Sequence, residues 1–192
     1  MKVITGGIEF NFTDAVNAFV FDETDPSKPT FHGAPMKAVD VIAELQEAYI
    51  FIEVKDFNEP EYYDIRGRKP ISIQDMTLEN PILLSDPHAN FKWLKNYLKY
   101  KYRDSFLYRY AEGKVDKPVH YICLLSLETG LNISVAKALQ KELPVVPPQT
   151  KRGHVRWTRN IVESCTVLNI EKWNKEYPKW PAKKLPPEIQ VR

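Results

Sequence analysis

The chain has 192 residues, of which 43% are hydrophobic and 27% are charged, and its formal net charge is +2. This length and composition predict one domain that buries its core without disulfides or structural metals, and they exclude global disorder. No stretch has the roughly 18 apolar residues of a membrane span, and no apolar signal region follows the amino terminus. We therefore expect a cytoplasmic protein with no membrane partner.

Charge is distributed unevenly along the chain. Residues 1–90 contain 7 Lys/Arg and 16 Asp/Glu, a net charge of −9, whereas residues 91–192 contain 20 and 9, a net charge of +11. An acidic region can hold divalent cations and a basic region attracts polyanions, so the division favours a nucleic-acid partner. The basic residues that could contact the phosphates of a nucleic acid are Lys92, Lys95, Lys99, Arg103, Lys151, Arg152, Arg156 and Arg159. A solvated surface explains them equally well.

The first third of the chain predicts a helix, a loop and a β-hairpin. An apolar stripe ending at Phe19 and Val20 predicts a helix over residues 14–23, and the proline-rich stretch after it predicts a loop. Two runs rich in β-branched and aromatic residues, 38–45 and 49–57, flank a polar break. This pattern predicts an antiparallel hairpin.

The rest of the chain predicts a long loop followed by alternating helices and strands. Residues 58–90 contain four prolines and no sustained periodicity, so we expect a long loop there. The later predictions are a helix at 90–112, a buried strand at 120–127, a helix at 134–143, a strand or helix–strand pair at 155–169, and an irregular segment at 171–192 that frays from about residue 181. This order predicts a single mixed α/β domain over residues 1–192.

Cys123 and Cys165 lie in apolar stretches and are predicted to be buried, reduced thiols.

Three charged residues of the predicted hairpin are expected to share one face. A hairpin that folds symmetrically about Gln46 and Glu47 pairs Asp40 with Glu53. Side chains alternate between the faces of a strand, so Lys55 lies on the same face as Glu53. Two opposed carboxylates repel unless a cation bridges them, and Mg²⁺ takes one or two protein carboxylates together with water and phosphate. The pattern therefore predicts a magnesium site beside an ammonium group.

An Asp on one strand followed by Glu-x-Lys on the next resembles the core of the PD-(D/E)xK nuclease-like, or restriction-endonuclease-like, superfamily. The motif here reads Asp40, then Glu53-Val54-Lys55, and no proline directly precedes the Asp. The resemblance implies a central mixed β-sheet flanked by helices and a Mg²⁺-dependent phosphodiesterase, with Mn²⁺ as a substitute. It also implies that Asp40, Glu53 and the Val54 carbonyl bind the metal and that Lys55 positions or activates water.

The resemblance further implies an additional acidic residue and a nucleic-acid partner. Glu23 continues the apolar stripe of the predicted helix, so we rank it above Asp22 for the additional catalytic position. DNA is the expected substrate in preference to RNA, and a homodimer or a larger complex is the expected assembly. The mode of cleavage, endo or exo, stays open.

Three other interpretations stay open on the sequence alone. Asp40 and Glu53 could be exposed residues of a half-solvated hairpin, with Lys55 forming a weak surface ion pair. A catalytically inactive module of the same fold could bind nucleic acid or a protein partner in a defence or mobile-element system. The tryptophan-rich segment at 171–192 could instead form an oligomer interface.

Overall fold

The computed structural model describes residues 1–31, 36–55, 61–63, 70–72, 87–126, 129–143 and 159–186. These ranges contain ten strands and three helices. The strands are β1 (Lys2–Thr5), β2 (Ile8–Asn11), β3 (Asn17–Val20), β4 (Val41–Glu44), β5 (Tyr49–Lys55), β6 (Glu61–Tyr63), β7 (Pro70–Ser72), β8 (Val119–Leu125), β9 (Ser164–Leu168) and β10 (Ala182–Lys184), and the helices are α1 (Pro87–Ala111), α2 (Thr129–Glu142) and α3 (Ile170–Glu176). The predicted α/β class is confirmed.

A five-stranded sheet with the strand order β3-β4-β5-β8-β9 forms the centre of the fold. Strands β3, β4 and β5 are antiparallel to one another, whereas β5, β8 and β9 are parallel. Parallel neighbours cannot be joined by a tight turn, and here α1 lies in the connection from β5 to β8 and α2 in that from β8 to β9. Strand β5 is thus the central strand, where the antiparallel and parallel halves of the sheet meet.

Apolar side chains cover both faces of the central sheet. On one face, Phe51 and Tyr121 pack with the inward stripe of α1, which includes Tyr102, and with α2. On the other face, Ile52 packs with a second sheet, of order β1-β2-β10, and with Trp173 of α3. A strand buried on both faces needs a continuous apolar run, and β5 has one until it reaches Glu53.

The predicted hairpin is confirmed together with its register. Val41 lies opposite Ile52 and Ile42 opposite Phe51, as folding about the polar break requires. The N–H of Leu45 donates to the carbonyl of Ala48 at 2.8 Å and closes the turn. The predicted alternation of side chains between the two faces of these strands is therefore present.

Most elements predicted after the hairpin are also confirmed. Helix α1, strand β8 and helix α2 lie within a few residues of the predicted bounds, and β9 lies in the predicted region 155–169. Most of the predicted loop at 58–90 lies outside the described residues, although β6 and β7 form a short antiparallel pair within it. Both cysteines are free and buried, as predicted. None of the helices in the described ranges is long and apolar enough to cross a membrane.

The predicted helix over residues 14–23 is wrong. Strand β3 lies there and pairs with β4, with Phe19 opposite Ile42. A few apolar residues at helical spacing also suit a short strand, and pairing with the hairpin decides between the two. The N–H of Phe21 donates to the carbonyl of Asp40 at 2.9 Å and continues this contact beyond the strand.

The prediction of an irregular segment at 171–192, fraying from about residue 181, is wrong for its described part. The Asn169 side chain accepts the N–H of Lys172 at 2.9 Å and caps α3, which buries Trp173. Strand β10 then pairs with β2, with Ala182 opposite Phe10. The segment is ordered by a capped helix and by pairing with a strand that is distant in the sequence, and local composition predicts neither. Residues 187–192 lie outside the described ranges.

The turn between β1 and β2 approaches β5 closely. Gly6 and Gly7 have φ values of 52° and 68°, and a Cβ on Gly6 would lie 3.1 Å from Cγ1 of Val54. Glycine tolerates positive φ and leaves room for this approach. The turn therefore packs against the strand that carries Glu53.

Gly6→Ala is expected to destabilise the protein more than Gly113→Ala does. Both glycines have positive φ, at which a Cβ costs about 1–2 kcal/mol, but a Cβ on Gly113 would meet nothing within 4 Å. Urea denaturation should show a loss for both variants, with about 1 kcal/mol more for Gly6→Ala because of overpacking against Val54. Equal losses would contradict the packing argument.

Candidate functional site

Three of the predicted site residues, Asp40, Glu53 and Lys55, lie at the carboxyl end of β5 near helix α1. Asp40 immediately precedes β4, and its Oδ2 accepts the N–H of Val54 at 2.6 Å. Strand β5 extends beyond the paired part of β4, so the Asp40 side chain occupies the hydrogen-bonding edge that β4 leaves free. The N–H and C=O of a strand residue leave on the same edge, so the Val54 carbonyl also faces the Asp40 side.

Glu53 is buried without a hydrogen-bond partner. Its side chain is 0% exposed, and neither carboxylate oxygen accepts a hydrogen bond. The nearest ammonium groups are those of Lys101, 3.5 Å from Oε2, and Lys55, 4.0 Å from Oε1. Burial and then repulsion by Asp40 raise the pKa of Glu53 to about 8, against the opposing effect of the two lysines. An exposed hairpin with a surface ion pair is therefore wrong for Glu53.

Lys101 of α1 lies among three carboxylates. Its Nζ donates to Oδ2 of Asp22 at 2.6 Å, and it lies 3.5 Å from Glu53 Oε2 and 3.7 Å from Asp40 Oδ1. The side chain is only 6% exposed. Burial lowers the pKa of Lys101, but the carboxylates of Glu53 and Asp40 outweigh this and raise it well above its ordinary value. Lys101 is therefore a charged ammonium at neutral pH.

Helix α1 also fixes the segment that carries Asp40. Ser105 Oγ accepts the N–H of Val39 at 2.8 Å and donates to the carbonyl of Lys101 at 2.7 Å. The Asp104 carboxylate accepts the N–H of Lys37 at 2.8 Å. One stretch of α1 thus holds both the central ammonium and the backbone that leads to Asp40.

Three lysines surround the ring of Tyr97. The Nζ atoms of Lys37, Lys55 and Lys101 lie 4.9, 4.7 and 5.6 Å from the ring centroid, within the range of cation–π attraction. Burial, followed by the charge of Glu53, raises the pKa of Tyr97, so its phenol is neutral. Lys37 is exposed, whereas Lys55 is largely buried. The acidic residue Glu53 is therefore buried at the base of the cluster, and the basic residue Lys37 reaches solvent.

The structure brings Asp40, Glu53 and Lys55 close together, and it places Asp22 rather than Glu23 beside them. Glu23 Oε1 accepts the N–H groups of Thr24 and Asp25, both at 3.0 Å, in its own loop. The ranking of Glu23 above Asp22 depended on a helix that is absent, because β3 occupies that segment. The preference for Glu23 over Asp22 is therefore wrong: after β3, the Asp22 side chain contacts Lys101, whereas the Glu23 side chain stays in its own loop.

Lys101 and Tyr97 were not predicted as site residues. Lys101 stands beside Tyr102 and one turn beyond Tyr97, on the side of α1 that faces β5. A lysine next to a buried aromatic stripe is an available signal in the sequence, but the sequence does not reveal the carboxylates opposite it. Tertiary contact alone distinguishes Lys101 from the other lysines of the helix.

Three residues of the basic stripe predicted on α1 contact Glu142 in the structure. Lys95 and Lys99 pair with Glu142 at 2.9 and 3.4 Å, and Arg103 donates to the Glu142 carbonyl. These contacts join α1 to the end of α2. Arg159 donates to the Val115 carbonyl at 3.4 Å. The Lys92 side chain and the residues Lys151, Arg152 and Arg156 lie outside the described part of the structure.

Asp40 and Glu53 have the chemistry that a single magnesium ion requires. Mg²⁺ prefers oxygen ligands and usually takes one or two protein carboxylates, with water and phosphate as the remainder. The two Glu53 oxygens are buried acceptors without a donor, and such atoms call for a proton or a cation. Among the residues that the structure describes, no group of three or more His, Cys, Asp or Glu is placed to hold a metal. An ion held by these two carboxylates would need water for most of its coordination shell.

Comparison of the chain with protein-family models, with curated proteins and with solved structures found no match. The fold and the site define a mixed α/β protein whose central strand carries a buried carboxylate in a cluster of acids and lysines. The function is therefore inferred from this cluster.

Replacing Glu53 by Gln is expected to change how stability depends on pH. The pKa of Glu53 is raised from 4.5 to about 8, so its contribution to stability is complete below pH 4.5 and is lost as the pH rises to about 8. Gln removes the titrating group and with it this loss. In urea denaturation with a chelator, the stability of Glu53→Gln relative to the unmodified protein should increase from about pH 5 to about pH 8, with a limit of about 1.4 kcal/mol per pH unit.

Glu9→Gln is the matched control for this measurement. Glu9 pairs with exposed lysines on the second sheet, and hydrogen bonding to Lys183 lowers its pKa, so it does not titrate in the same interval. Its relative stability should not change between the two pH values. A relative stability of Glu53→Gln that is also independent of pH would contradict the assignment of a buried, protonatable carboxyl.

Proposed function

We propose that this protein is a metal-dependent phosphodiesterase that hydrolyses nucleic acid with a restriction-endonuclease-like core. The observation that carries the proposal is the Glu53 carboxylate, fully buried on the central strand beside Asp40 and Lys55, with two oxygens that accept no hydrogen bond from the described residues. Burying a charge in this way is costly for stability, so a role in chemistry explains it better than packing does. Asp40 directly precedes β4, and Glu53-Val54-Lys55 lies on the neighbouring strand β5. This is the order of residues in the superfamily motif that the sequence resembles.

Asp40 and Glu53, with the Val54 carbonyl, are the residues that would hold Mg²⁺ or Mn²⁺. When bound, such an ion polarises a phosphoryl oxygen and lowers the pKa of a coordinated water. In the hydrolysis, the oxygen of water bonds to phosphorus, the ester P–O bond breaks, and the leaving oxygen takes up a proton. Lys55 stabilises the additional negative charge on the phosphoryl oxygens, because its ammonium lies on the same face as Glu53.

The exposed side of the cluster suits a phosphate group. Lys37 and Lys55 both lie close to the Tyr97 ring, and Lys37 is exposed. An ammonium group that reaches solvent beside the acidic cluster favours contact with the phosphates of a nucleic acid. Nucleic acid, with DNA before RNA, is therefore the proposed substrate class, and a homodimer or a larger complex is the proposed working assembly.

A second candidate function is favoured by Lys101. This ammonium already lies among the carboxylates that would bind the metal, which is the arrangement of a cluster neutralised without an ion. On that basis the chain would be an inactive module of the same fold that binds nucleic acid or a protein partner. Metal binding separates the two functions, because only the enzyme requires it.

Cleavage of a panel of linear, circular, single-stranded and structured nucleic acids with Mg²⁺ or Mn²⁺ tests the proposed activity. We expect cleavage by the unmodified protein, with a loss of about 100-fold or more in Asp40→Asn, Glu53→Gln and Lys55→Met, because each removes a charge at the reacting phosphate. Removal of the metal with a chelator should abolish cleavage in the unmodified protein.

Glu9→Gln again provides the control, since it makes the same chemical change on the second sheet. It should cleave like the unmodified protein, and all variants should retain a cooperative unfolding transition. Full activity in any one of the three site variants would overturn the role of that residue. Nucleic-acid binding without metal uptake or cleavage would favour the inactive module.

A further inference from the structure

Lys101 contacts three carboxylates but satisfies only one of them. Its Nζ lies 2.6 Å from Asp22 Oδ2 and donates a hydrogen bond there, whereas Asp40 and Glu53 lie at 3.7 and 3.5 Å. Both Glu53 oxygens remain without any hydrogen bond. The ammonium therefore neutralises the Glu53 carboxylate at a distance without serving as its hydrogen-bond donor.

The ammonium occupies the region that an ion bound to these carboxylates would enter. An ion that bridges Asp40 Oδ1 and Glu53 Oε2 would lie close to the Lys101 ammonium, which is 3.7 and 3.5 Å from these oxygens. At equal distance an ammonium repels a divalent cation twice as strongly as it repels another ammonium. Lys101 is only 6% exposed, so water screens this repulsion poorly. The ammonium and the ion are thus alternatives for the same carboxylates.

The charge balance of the cluster supports this alternative occupancy. Asp22, Asp40 and Glu53 lie 2.6, 3.7 and 3.5 Å from the Lys101 ammonium, which compensates part of their negative charge when Glu53 is ionised. Without the charge of Lys101, these carboxylates lose a cation that all three share. Removing this single charge therefore favours a cation at the site.

We propose that Lys101 competes with a divalent metal ion for Asp40 and Glu53 and thereby limits metal binding in the protein without substrate. This inference rests on the proposed function, because it concerns the same metal site. The long flexible stem of lysine permits the ammonium to turn toward Asp22, which is 41% exposed and already its hydrogen-bond acceptor, when the ion enters. Lys101 is thus a positioning residue that regulates metal occupancy.

Calorimetric titration with Mn²⁺ alone tests the competition in the unmodified protein, Lys101→Met and Lys99→Met. Lys99→Met is the matched control, because Lys99 lies on the same helix and is similarly buried but pairs with Glu142. Lys101→Met should bind Mn²⁺ about tenfold or more tightly than the unmodified protein. Lys99→Met should not differ from it. A readout of this kind does not depend on cleavage.

A double variant and a second measurement locate the effect and guard against misfolding. Lys101→Met/Glu53→Gln should lose the gain in affinity, since the gain acts through the Glu53 carboxylate. In thermal unfolding, Mn²⁺ should raise the melting temperature of Lys101→Met more than that of the unmodified protein. Lys101→Gln provides the same loss of charge with a polar side chain, should the Met variant fail to fold.

The outcomes separate the inference from the function on which it rests. Mn²⁺ binding by the unmodified protein with equal or weaker binding by both Lys101 variants overturns the competition and leaves the metal site in place. Binding by the Lys101 variants alone supports the competition and contradicts metal-dependent activity of the isolated protein. An absence of binding in all of them at millimolar Mn²⁺ overturns both.

Discussion

The burial of the Glu53 carboxylate in the centre of the main sheet is the constraint on which the candidate site depends. A carboxylate that is 0% exposed and accepts no hydrogen bond must be balanced by a proton, by the ammonium groups of Lys101 and Lys55, or by a metal ion. Apolar residues of similar volume often replace such buried charges with no loss of stability. A contribution to folding therefore does not by itself account for a carboxyl group at this position.

The topology of the sheet explains why the charges meet at this point. Strand β5 pairs with β4 on one side and with β8 on the other, and it extends beyond the amino-terminal end of β4. The Asp40 side chain accepts the Val54 N–H that this extension leaves free, and α1 returns over the same end with Lys101. Open α/β sheets bind ligands at the carboxyl ends of their parallel strands, where loops and helices diverge. The cluster lies at that end of β5.

The parts of the site that could be predicted from sequence are those that depend on local pattern. A two-residue polar break between β-rich runs fixes the hairpin register, and the register ends with Val41 opposite Ile52, so Asp40 and Glu53 follow at the same end of the hairpin. Lys101 could not be assigned in this way, because its partners lie far away in the sequence and its neighbour Lys99 has the same local surroundings but pairs with Glu142. Strand β3 was mistaken for a helix because four-residue stripes are ambiguous until a pairing strand is known.

A second ion cluster between α1 and the hairpin shows how a structural ion pair is formed in this molecule. About two turns beyond Lys101, the Arg109 guanidinium donates to Glu44 of β4 at 2.5 Å and to Glu112 at 2.6 Å, so both carboxylates receive direct hydrogen bonds. The same helix and the same hairpin therefore provide close, hydrogen-bonded pairs where the charges only join elements. Glu53 lies deeper than Glu44 and receives no such bond. Arg109 Nε is itself buried without a hydrogen-bond partner, so the contrast concerns the carboxylates: Glu44 and Glu112 receive direct hydrogen bonds from this interface, whereas Glu53 is compensated only at a distance.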